Sequence, residues 1–219
     1  VTLRELGVVG AILAVIQLAL ALWLHPPLFV VLLVTWLYLA LMSREFFVRD
    51  WLKARPVTYL WTHMLIMPLI DLYATACDWL VASGGDSFAA VPDGLYLFLI
   101  VSFFNGVVIE LGRKIRAPED EEEGVDTYSV LWGRRRAVLL WIGALLVTSL
   151  SAALAAWQID FLGPVALVLL ALLLTATVAG WSFLRYPKPG AGKRFESISG
   201  LWTLCMYLSL GAGPLLWQV

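Results

Sequence analysis

The sequence predicts an all-α fold, a polytopic bundle of transmembrane helices, and three observations predict it. Hydrophobic residues fill 61% of the 219 positions and charged residues only 14%, with a mean hydropathy of +0.86. A soluble domain of this length needs far more polar surface. The apolar residues come in blocks of about 20, the length that a bilayer core asks of a helix. The basic residues fall only at alternate block ends.

Seven blocks read as spans. The first, Leu6 to Leu24, follows Arg4 and stops at Pro26-Pro27, where the chain breaks. The second, Pro27 to Phe46, leads into Arg44, Arg49, Lys53 and Arg55. The third, Val57 to Val81, ends at Ser83-Gly84-Gly85 and carries Pro68, which removes a helical donor and predicts a kink. The fourth, Gly94 to Ile115, runs into the most highly charged stretch of the chain. The fifth and sixth, Ala137 to Trp157 and Phe161 to Leu184, are joined by a short turn. Pro187 to Gly192 then breaks the chain before the seventh, Ile198 to Trp217.

Strict alternation of seven spans puts all 15 Lys and Arg on one side. The opposite loops, His25-Pro26, Ser83 to Asp93 and Gln158 to Asp160, contain none. The positive-inside rule makes the basic face cytoplasmic, as in an inner or plasma membrane. No repeat and no soluble domain shows, so residues 1–219 read as one transmembrane domain with 116–136 as a cytoplasmic loop. A net charge of −1 gives no ground for a nucleic-acid partner; membrane lipid is the surrounding that composition implies. Cys77 and Cys205 lie in apolar segments without metal-ligand spacing and read as buried thiols.

The chemistry concentrates between Asn105 and Gly133. There a helix passes through Glu110, Arg113, Lys114 and Arg116 into Glu119, Asp120, Glu121, Glu122 and Glu123, then Gly124-Val125-Asp126-Thr127, then Gly133 and Arg134 to Arg136. Acid and base together at a membrane surface suit a metal-bound polyphosphate, since carboxylates hold Mg²⁺ and Lys or Arg hold the remaining phosphate charge. Two plainer readings stand beside this one. Glu110 is spaced to pair with Arg113 or Lys114 along its own helix, and Glu119 to Glu123 alone would be a solvated loop. Within the spans, His63, Met67, Asp71 and Asp78 recur at offsets that keep them on one face. His63 reads first as a hydrogen-bonded bundle residue, Asp78 as wet, and Asp71 as a carboxylate in search of a donor. Asn105 sits deeper in span four.

The Glu110 to Gly133 stretch resembles the second acidic motif of the UbiA superfamily of intramembrane prenyltransferases, with Gly124-Val125-Asp126-Thr127 and Leu131-Trp132-Gly133-Arg134-Arg135 as the downstream frame. Val1-Thr2-Leu3-Arg4-Glu5-Leu6 resembles the family's entry into its third helix. Family members carry Asp at the spaced positions where this chain has Glu110, Glu119 and Asp120. Tyr38 and Arg44 are the nearest counterparts of the family's Tyr-x-x-x-Lys element, at a wider spacing.

The resemblance implies a nine-helix fold of which seven spans are visible, with two helices and a first acidic motif before Val1. It implies that the 219-residue piece alone is inactive. It further implies Mg²⁺-dependent transfer of a prenyl group from a prenyl diphosphate to a lipophilic acceptor. Glu110, Glu119, Asp120 and Glu123 would be the metal ligands, with Glu110 and Asp120 central to catalysis. Arg113, Lys114, Arg116 and Arg44 would meet phosphate, Asn105 would bind substrate, and His63 and Asp71 would line the acceptor chamber. The rival reading is a transporter using Asp71, Asp78 and Glu110 as an ion path, although no inverted repeat supports it. A scaffold whose charged loops bind partners is a third. The Asp-Gly-x-x-Ala-Arg signature of CDP-alcohol phosphotransferases is missing.

Overall fold

A computed structural model describes residues 2–84 and 91–217. Val1 and positions 85–90, which fall in the break and the basic-free loop expected after span three, lie outside the described residues. Over the described residues the chain is helical with no strand. Six described helices are long and apolar enough to cross a membrane. The chain divides into two compact units, Val1–Leu95 and Tyr96–Val219.

In the first unit, α1 (Leu3–Leu24) opens with a capping box, Thr2 and Glu5 each satisfying the other's backbone N–H, which supplies two of the donors that a helix start leaves orphaned. After the Pro26-Pro27 corner, α2 (Leu28–Ser43) packs on α1 and on α5 (Ile66–Ala82). Two polar pins set that packing. Trp36 Nε1 donates to Gln17 Oε1 at 3.2 Å, and Thr35 Oγ1 donates to the Leu69 carbonyl oxygen of α5 at 3.2 Å.

Here the second expected span is shorter than hydropathy implies. Helix α2 has 16 residues, about 24 Å at 1.5 Å per residue, and stops three residues before Phe46. The cause is a turn in which Glu45, Phe46 and Phe47 take φ of 50°, 53° and 60°, a left-handed conformation that apolar composition cannot signal. A short helix α3 (Arg49–Lys53) follows, then α4 (Pro56–Met64) and α5 (Ile66–Ala82). The α4–α5 break at Leu65 falls where Pro68 has no N–H to offer the Met64 carbonyl. Span three is therefore kinked as its proline predicts, and His63 is separated from the helix that carries Asp71 and Asp78.

The second unit begins with α6 (Leu95–Arg113), continues through a 3₁₀ turn at Pro118–Asp120 and the short α7 (Tyr128–Trp132), and closes with three long helices. These are α8 (Arg134–Gln158), α9 (Leu162–Arg185) and α10 (Gly192–Tyr207), the last extended by a π-turn at Leu208–Ala212 and α11 (Gly213–Trp217). Helix α8 packs on α9 and has small residues, Ala137, Ala144, Ser151, Ala152 and Ala156, among those it buries; Gly180 of α9 lies against its Val138 and Ile142. Small side chains let apolar helices approach closely where the hydrophobic effect cannot drive them together.

Trp141, Phe183 and Phe195 tie α8, α9 and α10 at one end of the bundle by edge-to-face contacts of 4.9 and 5.0 Å. Trp141 Nε1 donates to Ser199 Oγ at 2.9 Å. A Cβ on Gly112 would strike Ser199 and the Phe195 carbonyl, and one on Gly192 would come within 2.7 Å of the Ile115 carbonyl oxygen. Two glycines thus bring the start of α10 against the end of α6. That contact builds the site.

Candidate functional site

The end of α6 does not dissolve into a solvated loop. Its backbone is stitched back by the segment that follows. Tyr128 N–H donates to the Lys114 carbonyl at 3.0 Å and Arg116 N–H to Ser129 Oγ at 2.9 Å. Thr127 caps α7, its hydroxyl accepting from Val130 N–H at 3.2 Å while donating to a Glu121 carboxylate oxygen at 2.7 Å. Thr127, Tyr128 and Ser129 are buried. The residues 115–127 therefore form a closed excursion whose two ends are fastened together, and the carboxylates ride on it.

A cleft of about 590 Å³ opens beside this excursion, bounded by Arg113, Arg116, Glu119, Asp120, Glu121 and Glu122 and, across it, by Gly190, Gly192, Lys193 and Glu196 at the α9–α10 turn. Both Asp120 carboxylate oxygens accept from Gly190 N–H, at 2.8 and 3.1 Å, so the acidic loop and the α9–α10 turn are latched. Arg116 bridges Glu122 at 2.9 Å and reaches the Asp120 carbonyl at 3.3 Å. Three cations and five carboxylates thus share one concave surface.

Of the expected metal ligands, Glu119 and Asp120 border this cleft. Glu110 lies one turn back in α6, its side chain only 11% exposed and held by Arg113 at 2.6 Å and Lys114 at 2.9 Å. The plainer intrahelical pairing is what the structure has. Glu123 is exposed and does not border the cleft. Among the described residues no three of His, Cys, Asp and Glu converge as a metal cage. The donor set nonetheless fits Mg²⁺ brought in by a phosphate ligand, since that ion is usually held by one or two carboxylates, substrate oxygens and water rather than by a protein cage.

Arg113 and Arg116 border the cleft, whereas Lys114 turns to Glu110 and to the Tyr128 ring, 5.5 Å from its centroid. Asn105 is fully buried in α6, and neither end of its amide has a hydrogen-bond partner among the described residues; the hydroxyl of Ser102, one turn earlier, also has none there. Arg44, His63 and Asp71 belong to the first unit. Arg44 ends α2 with an exposed side chain. His63 stacks on Tyr59 with ring centroids 3.9 Å apart, its Nδ1 lies 2.9 Å from the Tyr59 carbonyl oxygen, and its Nε2 is 3.3 Å from Glu45. Asp71 is half-buried in α5, its carbonyl accepting from Thr75.

Sequence reasoning passed over Glu45, Lys193, Glu196, Gly190 and Gly192. A signal existed for Lys193, Gly190 and Gly192. The Lys188 to Arg194 stretch lies on the same alternating side as the acidic loop, and its glycines permit the close approach that now joins the two.

No protein-family model, curated protein or solved structure matches the chain.

Proposed function

We propose that this chain belongs to a UbiA-like intramembrane prenyltransferase, which moves a prenyl group from a prenyl diphosphate to a lipophilic acceptor with Mg²⁺. The observation that carries the proposal is the cleft at the end of α6, where Glu119 and Asp120 face Arg113, Arg116 and Lys193 over about 590 Å³. That pairing of charges suits a metal diphosphate better than a bare anion, because five carboxylates would repel an anion that arrived without its cation. Under the proposal, the α2 segment also crosses the membrane, giving seven spans of a nine-helix fold, and the cleft faces the cytoplasm.

Glu119 and Asp120 would hold the metal, which when bound neutralises charge on the departing diphosphate. Arg113, Arg116 and Lys193 take the remaining phosphate charge, Arg through its planar fork and Lys as a point charge. The Glu110 carboxylate sets the rotamer of Arg113 from behind, holding that cation at the cleft's edge before substrate arrives. The apolar helices beneath keep water from an allylic cation. The transport reading loses support from the same geometry, since Glu110 is already engaged by two cations and Asp78 is exposed.

The test is direct. Full-length protein given radiolabelled prenyl diphosphates and a pool of lipophilic acceptors yields prenylated product that disappears with EDTA and returns with Mg²⁺. Neither product nor prenyl diphosphate binding would sink the proposal, and flux in proteoliposomes that depends on Asp71 would replace it with transport.

A further inference from the structure

The α9–α10 turn borders more than the acidic cleft. A second cleft, about 450 Å³, is bounded by Ser182 and Tyr186 at the end of α9, by Lys188 on the turn and by Arg194 on α10. Through Ala179, Ser182 and Arg194 it adjoins a more open groove of about 480 Å³ that follows α9 and α10 past Val178 and Ile198, with Lys193 at its upper edge. Among the described residues no carboxylate borders either one. Lys188, Lys193 and Arg194 are exposed, and none of them pairs with a carboxylate among the described residues. Unlike the first cleft, this surface is purely cationic at one end and apolar at the other.

Its depth is set by a neighbouring pair. Trp181 is 56% exposed and carries the Arg185 guanidinium stacked 3.7 Å from its ring, the arrangement expected at the boundary between headgroups and hydrocarbon. Val178 lies three residues before it in α9, about 4.5 Å away at 1.5 Å per residue, on what would be the hydrocarbon side of such a boundary. Lys188 lies beyond the end of α9, and Lys193 and Arg194, in the first turn of α10, stand beside its last turns. A ligand matching this surface is anionic at headgroup level and apolar just below it.

We propose that the α9–α10 groove binds an anionic glycerophospholipid. Its phosphate lies between Lys188 and Arg194, with Lys193 beside it, and an acyl chain runs along Val178, Ala179 and Ile198. Basic pockets between transmembrane helices are suited to such headgroups because the phosphate meets cations at low effective dielectric. The continuity of the cationic and apolar parts selects a phospholipid over a free phosphate. The proposal does not rest on prenyl transfer.

Native mass spectrometry of the full-length protein, titrated with phosphatidylglycerol or phosphatidylcholine of identical acyl chains, tests it. Phosphatidylglycerol is retained preferentially, and glycerol 3-phosphate does not displace it. Lys188→Gln with Arg194→Gln, which leaves the shared Lys193 untouched, lowers that retention roughly thirtyfold for two cations removed. Phosphatidylcholine retention is unchanged by the pair. Ala179→Trp fills the apolar groove and lowers retention with every charge in place. Arg135→Gln with Arg136→Gln, an equal loss of charge elsewhere, leaves it intact. Equal retention of the two lipids by the wild-type protein, competition by glycerol 3-phosphate, or an equal loss in the Arg135 and Arg136 pair each overturns the proposal. The wild-type comparisons decide it even if the Lys188 and Arg194 pair fails to fold.

Discussion

Asp120 gives both carboxylate oxygens to the Gly190 N–H, so any ligand that needs this carboxylate competes with a contact that holds the fold. The two duties separate by substitution. Asp120→Asn keeps an acceptor oxygen for Gly190 but removes the charge, while Asp120→Ala removes both. If the carboxylate serves the proposed diphosphate cleft, both variants lose about a hundredfold in prenyl transfer, the scale seen when one electrostatic partner of a transition state is removed. Only Asp120→Ala also loses stability, about 1 kcal/mol for one hydrogen bond. Activity and thermal unfolding in the same detergent check both halves, and an Asp120→Asn protein with full activity would take Asp120 out of the chemistry. Residues 120 and 190 lie far apart in sequence, which is why no local pattern announced their contact. The Glu110 pairs with Arg113 and Lys114 were legible, because helical neighbours three and four apart meet by geometry alone.

At the scale of elements, legibility followed whether the controlling rule was local. Pro68 predicts a break one turn earlier, and the chain breaks at Leu65. Thr127 caps Tyr128–Trp132, a local signal that reading 116–136 as one loop passed over. The end of α2 was hidden because an apolar run looks the same whether it continues as helix or turns left-handed. Three consecutive non-glycine residues with positive φ cost about 1–2 kcal/mol each, so neighbours must hold them. Phe46 is held, its ring edge-to-face with Tyr38 at 5.4 Å and with His63 at 6.0 Å. Glu45 accepts from the Tyr59 hydroxyl at 3.2 Å. Phe47 is 75% exposed and bears the strain with little packing in return. Phe47→Gly therefore raises stability by about 1 kcal/mol, since glycine takes this conformation freely, whereas Phe46→Gly lowers it by losing a packed ring. Thermal unfolding of both variants against wild type checks the order. A reversal would mean that Phe47 has an apolar partner, such as lipid, that outweighs its backbone strain.

For the whole molecule, the open question is whether α2 crosses, and the charge pattern settles less of it than alternation suggests. If α2 crosses, all 15 basic residues share one face. If it does not, every later segment exchanges sides, and only Arg4 parts from the rest, leaving 15 − 1 = 14 together. The acidic cleft stays with the basic majority either way, so the cytoplasmic placement proposed for it from the positive-inside rule does not depend on α2. What changes is the side on which the described chain begins. Sixteen residues give about 24 Å against a hydrocarbon core of about 30 Å, a deficit that local thinning of the bilayer absorbs at modest cost. The alternative leaves exposed apolar side chains, Phe29, Val30, Leu33, Val34, Leu37 and Leu41, on the surface of a helix that must still pack on α5. Burial of those side chains in lipid outweighs the deficit, and α2 is expected to cross. Single cysteines at Leu3, Asp126 and Asp160, in a background where Cys77 and Cys205 are replaced, read this out with a membrane-impermeant thiol reagent. Leu3→Cys and Asp126→Cys label from one side and Asp160→Cys from the other. Labelling of Leu3→Cys together with Asp160→Cys instead would show that α2 turns back without crossing, and the seven-span count would fall with it.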